Sequence, residues 1–549
     1  MSILALTRLL VVYAVLLGIA CLVAHSRGGI RPLAPSQQRV VASRWEDGRR
    51  IERRVSAPGE AAPEFAQSSA KAVEERVVAQ GELSLGALLP LQLVAGRDGV
   101  MAELGDKVAF ATVDDLLSRQ AYDHASTFLD PSLGFGTDRA SVLDVLATEL
   151  GVSAKEVAQK ARVHRVRFER RVLGDQPVVP ITAETLDRAV VRSAVADAAG
   201  HLARNVDANG QYRYLIDAIS SQTLPGYNWP RHAGTTYFLA QAAALFDDAV
   251  IRAACLRAAA LLRDRHMDMC GDDPCIGDDD EVEIGSTALT MIAFAEIVRT
   301  GADTSYKPAV SALASFLRAQ QRPDGELMHR FQRSTGKRID VQQLYFTGEA
   351  ALALSRAHRI TRDPADLRAA SAALSRLSGH GWQFFGSRYY FSEEHWTCQA
   401  MADLWDRAPD QEALSFCLRW HEYQRALQRS AGDSPFDAEG SFGFGPFVTP
   451  RVTPASSRGE AAAAALAVVR SAPHGDATAA LLEDELRRAV AFVARTQLRP
   501  GARHLFARPG DVFGAFPGSA VDMQLRIDYA QHAGSMMIRW LELSAPASR

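Results

Sequence analysis

Acids, histidines, arginines and aromatic residues recur at the heads of six segments along this chain. The first is Arg231-His232-Ala233-Gly234-Thr235-Thr236, and the second is Ile284-Gly285-Ser286-Thr287, with Glu283 just before it. Thr347-Gly348-Glu349-Ala350 and Glu393-Glu394-His395-Trp396 follow, then Arg458-Gly459-Glu460-Ala461, and last Arg526-Ile527-Asp528-Tyr529 running into Gln531-His532-Ala533-Gly534. Such residues could cleave a glycosidic bond. That reaction needs one protonated carboxyl to release the leaving oxygen and one ionised carboxyl to activate water or attack carbon. Glu349 and Asp528 are the acid/base candidates, with Glu394 and Glu460 beside them. Arg231, His232, His395, Trp396, Arg458, Arg526 and His532 would bind and orient the substrate, and Tyr227 and Trp229 supply aromatic faces.

Each candidate also has a purely structural use. Glu349 and Glu460 suit the electropositive start of a helix. Asp528 reads equally well as a helix N-cap. His232 and His532 read equally well as hydrogen-bonded core histidines. Other chemistries lack support. His421-Glu422 has no second histidine at metalloprotease spacing, and no nucleophile elbow, phosphate loop or dinucleotide fingerprint stands at a strand–helix junction. The acidic run from Asp268 to Glu283 lacks EF-hand spacing and reads as a solvated loop clipped by a Cys270–Cys275 disulfide; calcium is the alternative. The remaining cysteines read as small core residues, with no structural zinc site, and neither a metal nor another cofactor is expected.

The elements that must position these residues follow from the rest of the chain. Its 549 residues allow two or three domains, and a net charge of −3 gives no reason to expect nucleic acid. Residues 1–24 read as an apolar signal anchor that would tether an exported protein to a membrane; a cleaved leader, or lipidation at Cys21, is the alternative. Residues 25–80, rich in Ala, Arg, Glu, Pro, Ser and Gln, read as a disordered linker. Residues 81–175 read as a small α+β domain, with a hairpin around Gly105-Asp106-Lys107 and helix starts at Thr112 and Ser153. In 176–549 helices dominate, twelve of them alternating outer and inner, with Asp-Gly or Asn-Gly turns before some inner ones.

A helical hairpin cannot bury its apolar face alone, so six of them are expected to close into a ring with the heads gathered at one mouth. The six-hairpin order, the Asp-Gly turns and the Gly-Glu-Ala heads resemble the (α/α)6 toroid superfamilies over about 180 to 545. These include six-hairpin glycosidases, polysaccharide lyases and sugar epimerases, and the terpene-cyclase and prenyltransferase toroids. The resemblance implies a mainly α fold and a carbohydrate site at the ring mouth, in a glycoside hydrolase or else a lyase or epimerase acting on a polysaccharide. A non-catalytic glycan- or protein-binding scaffold of the cell envelope is the alternative.

Overall fold

The computed structural model describes residues 29–62, 64–65, 71–84, 92–122, 136–173, 180–379, 395–430, 436–443, 449–471 and 476–545, with Ala14, Val15 and Gly18. The expected anchor over 1–24 therefore lies outside the described residues, apart from those three. Among the described residues no helix is long and apolar enough to cross a membrane.

The linker expected at 25–80 is instead part of a sheet. Strands β1 (Arg31–Pro32), β2 (Val40–Glu46), β3 (Arg49–Val55) and β4 (Lys71–Glu82) join β5 (Asp98–Leu104), β6 (Lys107–Ala111) and β7 (Arg162–Val172). The order is β3-β2-β4-β7-β5-β6, with β1 on β4, and every pairing is antiparallel. On β4, Val73, Val77 and Ala79 are buried at alternate positions in a run rich in glutamate and arginine. That period of two is a strand signal masked by the charged composition. The hairpin at Gly105 forms as expected. Thr112 caps α1 (Val113–Ser118) and Ser153 caps α3 (Ala154–Lys160), either side of α2 (Arg139–Leu150).

Glu75 on β4 is fully buried, and neither carboxyl oxygen has a hydrogen-bond partner. Burial first, and then the neighbouring charge of Asp114, push it up to about 8. The folded protein thus holds a proton that the unfolded chain loses above about 4.5. Stability should fall as pH rises between those two values and then level off. Glu75→Gln should flatten that fall, by a few kcal/mol at most, in chemical denaturation at pH 5 and pH 8.

Among the described residues, twelve helices of at least 10 residues follow. Outer α4 (Arg188–Arg204), α6 (Ala249–Arg265), α8 (Lys307–Ala319), α10 (Pro364–Ser378), α12 (Gln411–Leu427) and α14 (Asp476–Thr496) alternate with six inner ones. The inner helices are α5 (Trp229–Phe246), α7 (Ile284–Arg299), α9 (Phe346–Thr361), α11 (His395–Leu404), α13 (Val452–Ser471) and α15 (Ile527–Leu543). Each inner helix packs on the next, and α15 packs back on α5, so the ring is closed. Asp187, Asp248, Asp363 and Asp410 cap four of the outer helices, each accepting from backbone N–H groups in the first turn.

Four glycines fasten consecutive elements of the outer layer. Gly210, Gly325, Gly440 and Gly514 all have positive φ, and a Cβ on any of them would lie 2.1–2.3 Å from a backbone carbonyl of Arg257, Ala372, Arg488 or Asp197 respectively. The last contact joins the turn after α14 to α4 and closes the outer layer. Two disulfides add cross-links. Cys270–Cys275 closes the hairpin of β9 (Met267–Cys270) and β10 (Asp273–Ile276), as expected. Cys398 and Cys417, read from sequence as core residues, are bonded between α11 and α12. Nineteen residues separate them in sequence, a pairing that only the fold reveals.

The sheet domain and the ring share one apolar cluster. Val100, Leu116 and Leu146 pack with Ile216, Leu505, Met523 and Leu525 of the ring's loops. His504 Nε2 lies 2.8 Å from Asp114 Oδ2, with both groups fully buried. Leu525 belongs to β11 (Gln524–Arg526), which pairs with β8 (Leu215–Asp217) and runs straight into α15. The docked domain thereby braces the strand that delivers Arg526 and Asp528.

Candidate active site

The N-terminal ends of the inner helices surround a cavity of about 460 Å³. Arg231, Glu283, Glu349, His395, Trp396, Arg526, Asp528 and His532 all line it, although they are far apart in sequence. Glycines in the heads let these side chains crowd together. A Cβ on Gly285 would lie 2.9 Å from Glu349 Oε2, one on Gly348 2.9 Å from Trp396 Cβ, and one on Gly234 2.4 Å from Gln531 Oε1.

The chemical centre is a histidine pair backed by an acid. His532 Nδ1 lies 2.8 Å from Glu460 Oε2. The His395 ring stands edge-on to His532 at 5.6 Å, and Trp396 lies 4.8 Å from His395. Burial works against a charge on His532, but the Glu460 carboxylate outweighs it and holds the imidazole above its usual value. Glu460 is itself raised by burial, with His532 opposing. A proton is therefore held on the line between them. With Nδ1 engaged, Nε2 is the nitrogen left to act. The candidate ligand atoms of His395, Glu460 and His532 lie within 4.8 Å of one another, close enough to surround a divalent ion; the Nδ1–Oε2 contact itself is that of a hydrogen bond.

Asp528 is not an N-cap: Arg526 occupies that position. Its oxygens accept from Arg526 Nε and Nη2 at 2.6 and 2.9 Å, and Arg231 Nε stands 3.4 Å away. Arg231 also donates to Tyr214 Oη at 2.8 Å. This carboxylate organises two guanidinium groups at the cavity wall. Glu349 is buried in the first turn of α9.

Four expected binding residues lie outside the cavity lining. His232 is fully buried, with Nδ1 2.7 Å from Tyr227 Oη and Nε2 3.0 Å from the Ala258 carbonyl, and burial draws it down to about 4. It is a neutral core histidine that ties α5 to α6. Tyr227 serves as its partner, and Trp229 stacks on His266 and donates to Asp278 at 2.7 Å. Arg458 is buried, donating to Gln424 Oε1 and the Pro454 carbonyl and lying over Phe442. Helix α13 begins at Val452, ahead of the Arg458 head, so its first turn turns Arg458 away from the lumen and sets Glu460 below the mouth. Glu394 lies outside the described residues. The cavity also contains Gln343, Tyr345, Arg451, Ser457, Tyr529 and Gln531, which sequence reasoning did not select. Of these, Ser457, Tyr529 and Gln531 sit beside head residues in the sequence.

No protein-family model matches this chain, and no curated protein does. Solved structures do share its architecture. A D-mannose isomerase superposes with a TM-score of 0.50 at 12% identity, covering 64% of this chain and 97% of its own. Cellobiose 2-epimerase from Bacillus thermoamylovorans B4167 gives 0.50 at 10% identity, covering 65% and 100%. The GH76A α-1,6-mannanase from Salegentibacter sp. HEL1_6 gives 0.47 at 12%, covering 64% and 99%. The ring is an (α/α)6 toroid. At these identities the likeness concerns the fold.

Proposed function

We propose that the chain is a carbohydrate-active enzyme whose mouth cavity moves a proton at a carbon beside a sugar carbonyl, as an isomerase or epimerase does. The observation that carries this reading is the Glu460-backed His532 facing His395 across one cavity. His532 takes the proton at Nε2 while Glu460 holds its Nδ1 proton and balances the new charge. Negative charge then grows on the carbonyl oxygen, and the guanidinium groups of Arg231 and Arg526, fixed by Asp528, stand in the same cavity to receive it. His395 returns a proton from the other side. Trp396 and the partly exposed Tyr345 offer flat faces to a sugar ring. The fold neighbours that isomerise mannose and epimerise cellobiose lend support.

A second reading, glycoside hydrolysis by Glu349 and Asp528, draws on the presence of both carboxyls in that cavity. One experiment separates the two. Reducing mono- and disaccharides incubated with the protein in D2O should exchange the hydrogen beside the carbonyl, followed by NMR. Cleavage of polysaccharides with no such exchange would favour hydrolysis and reject the histidine assignment. Export to an oxidising setting is part of the same proposal, and the two disulfides support it. Tethering by residues 1–24 remains part of the proposal.

A further inference from the structure

A second cavity of about 300 Å³ lies deeper in the ring, toward the C-terminal ends of the inner helices. Glu460 lines it, together with Arg356, Arg539, Asp403, Gln399 and Glu542. The spacing explains the arrangement. Arg356 follows Glu349 by seven residues on α9, and Arg539 follows His532 by seven on α15. Seven residues are about two helical turns, so each helix shows the mouth residue and its arginine on one face. Glu460, entering from α13, stands between the two layers.

Arg356 is only 7% exposed. Nη2 donates to Tyr237 Oη at 2.9 Å, and the guanidinium lies over that ring. Its nearest carboxylates are 4.0 Å away at Glu296 and 3.9 Å away at Asp403. Both are already engaged, Glu296 by Arg299 and Asp403 by Arg359 and Arg407. Nη1 has no hydrogen-bond partner. Glu296 and Asp403 supply the counter-charge this buried cation needs, and Glu460 lines the same small cavity.

We infer that Arg356, assisted by Arg539, is a positioning residue of the catalytic pair: from behind, it keeps Glu460 a carboxylate, so that Glu460 holds the Nδ1 proton of His532 and leaves Nε2 to work in the mouth. The inference rests on reading Glu460 and His532 as the acid–base pair. His532 is faced by Glu460, Asp528, Arg231 and His395, and Glu460 also by Arg539 and Arg356. Without Arg356, Glu460 protonates more readily and His532 loses its counter-charge.

The test is an NMR titration of 15N-histidine-labelled full-length protein, which needs no substrate and so stands or falls independently of the reaction assigned. In Arg356→Gln the His532 midpoint should fall by about one pH unit or more, and Arg356→Lys should restore most of the difference. An unmoved midpoint with a lowered melting temperature would show a purely structural arginine and overturn the inference. Should Arg356→Gln fail to fold, Arg539→Gln carries the same test, and an unmoved His532 there overturns it as well.

Discussion

His532→Gln should lower turnover about 10²–10⁴-fold with little change in substrate affinity, because it removes the group that handles the proton while keeping a side chain of similar size. The fold should survive, since the His532 side chain faces a cavity and is tied to the protein through Glu460. Glu460→Gln should act differently. The Glu460 carboxylate holds His532 above its ordinary value. A histidine that acts as a base must be neutral, so activity should rise as pH climbs through the His532 midpoint. With the amide in place that rising limb should move to lower pH, along with a loss in maximal rate. His395→Asn separates the two halves of the reaction. If His395 returns the proton, deuterium exchange at the substrate carbon should outlast formation of the product. Measured kcat, KM and pH profiles for the three variants check these outcomes, and an unimpaired His532→Gln enzyme would remove the histidine mechanism.

Much of this architecture was legible because it repeats. Small residues behind a polar head mark an inner helix each time, and each of the six heads, counting Glu283 with the second, contributes a described side chain to one cavity or its floor. What the repeat could not convey was depth along each helix. Arg458 and Glu460 are two residues apart, about 200° around a helix, so one faces the ring wall and the other the lumen. His232 and His532 share a His-Ala-Gly motif. The first is nevertheless held by Tyr227 and Ala258, partners set by tertiary packing. The paired-carboxylate expectation failed to anticipate that Asp528 is bound by two arginines and Glu460 by a histidine, since such partners come from other helices or strands. The linker expectation missed a sheet for a compositional reason: arginine- and glutamate-rich strands carry few apolar residues to reveal their alternation.

Gly440→Ala should destabilise the ring by roughly 3–5 kcal/mol, among the largest effects of a single methyl group. The left-handed backbone accounts for about 1–2 kcal/mol of that. Gly440 has φ +81°, and the added Cβ would meet the Arg488 carbonyl at 2.1 Å. That carbonyl belongs to the backbone of α14, so no side-chain rotation relieves the clash, and the turn must lift off the helix. Lifting it would also strain the bonds that Gln428 Nε2 makes to the Gly440 and Glu485 carbonyls. Gly336→Ala is the matched control, with φ +68° and nothing within 4 Å of its Cβ, so only the backbone term of about 1 kcal/mol applies. Chemical denaturation of both variants gives the comparison, and equal losses would deny the close contact. The turns at Gly210 and Gly325 announce themselves as Asn-Gly and Asp-Gly, whereas Glu439-Gly440 and Phe513-Gly514 do not. What all four working turns share is a backbone pressed against the next outer helix, a constraint that permits only glycine and leaves the residue before it free to vary.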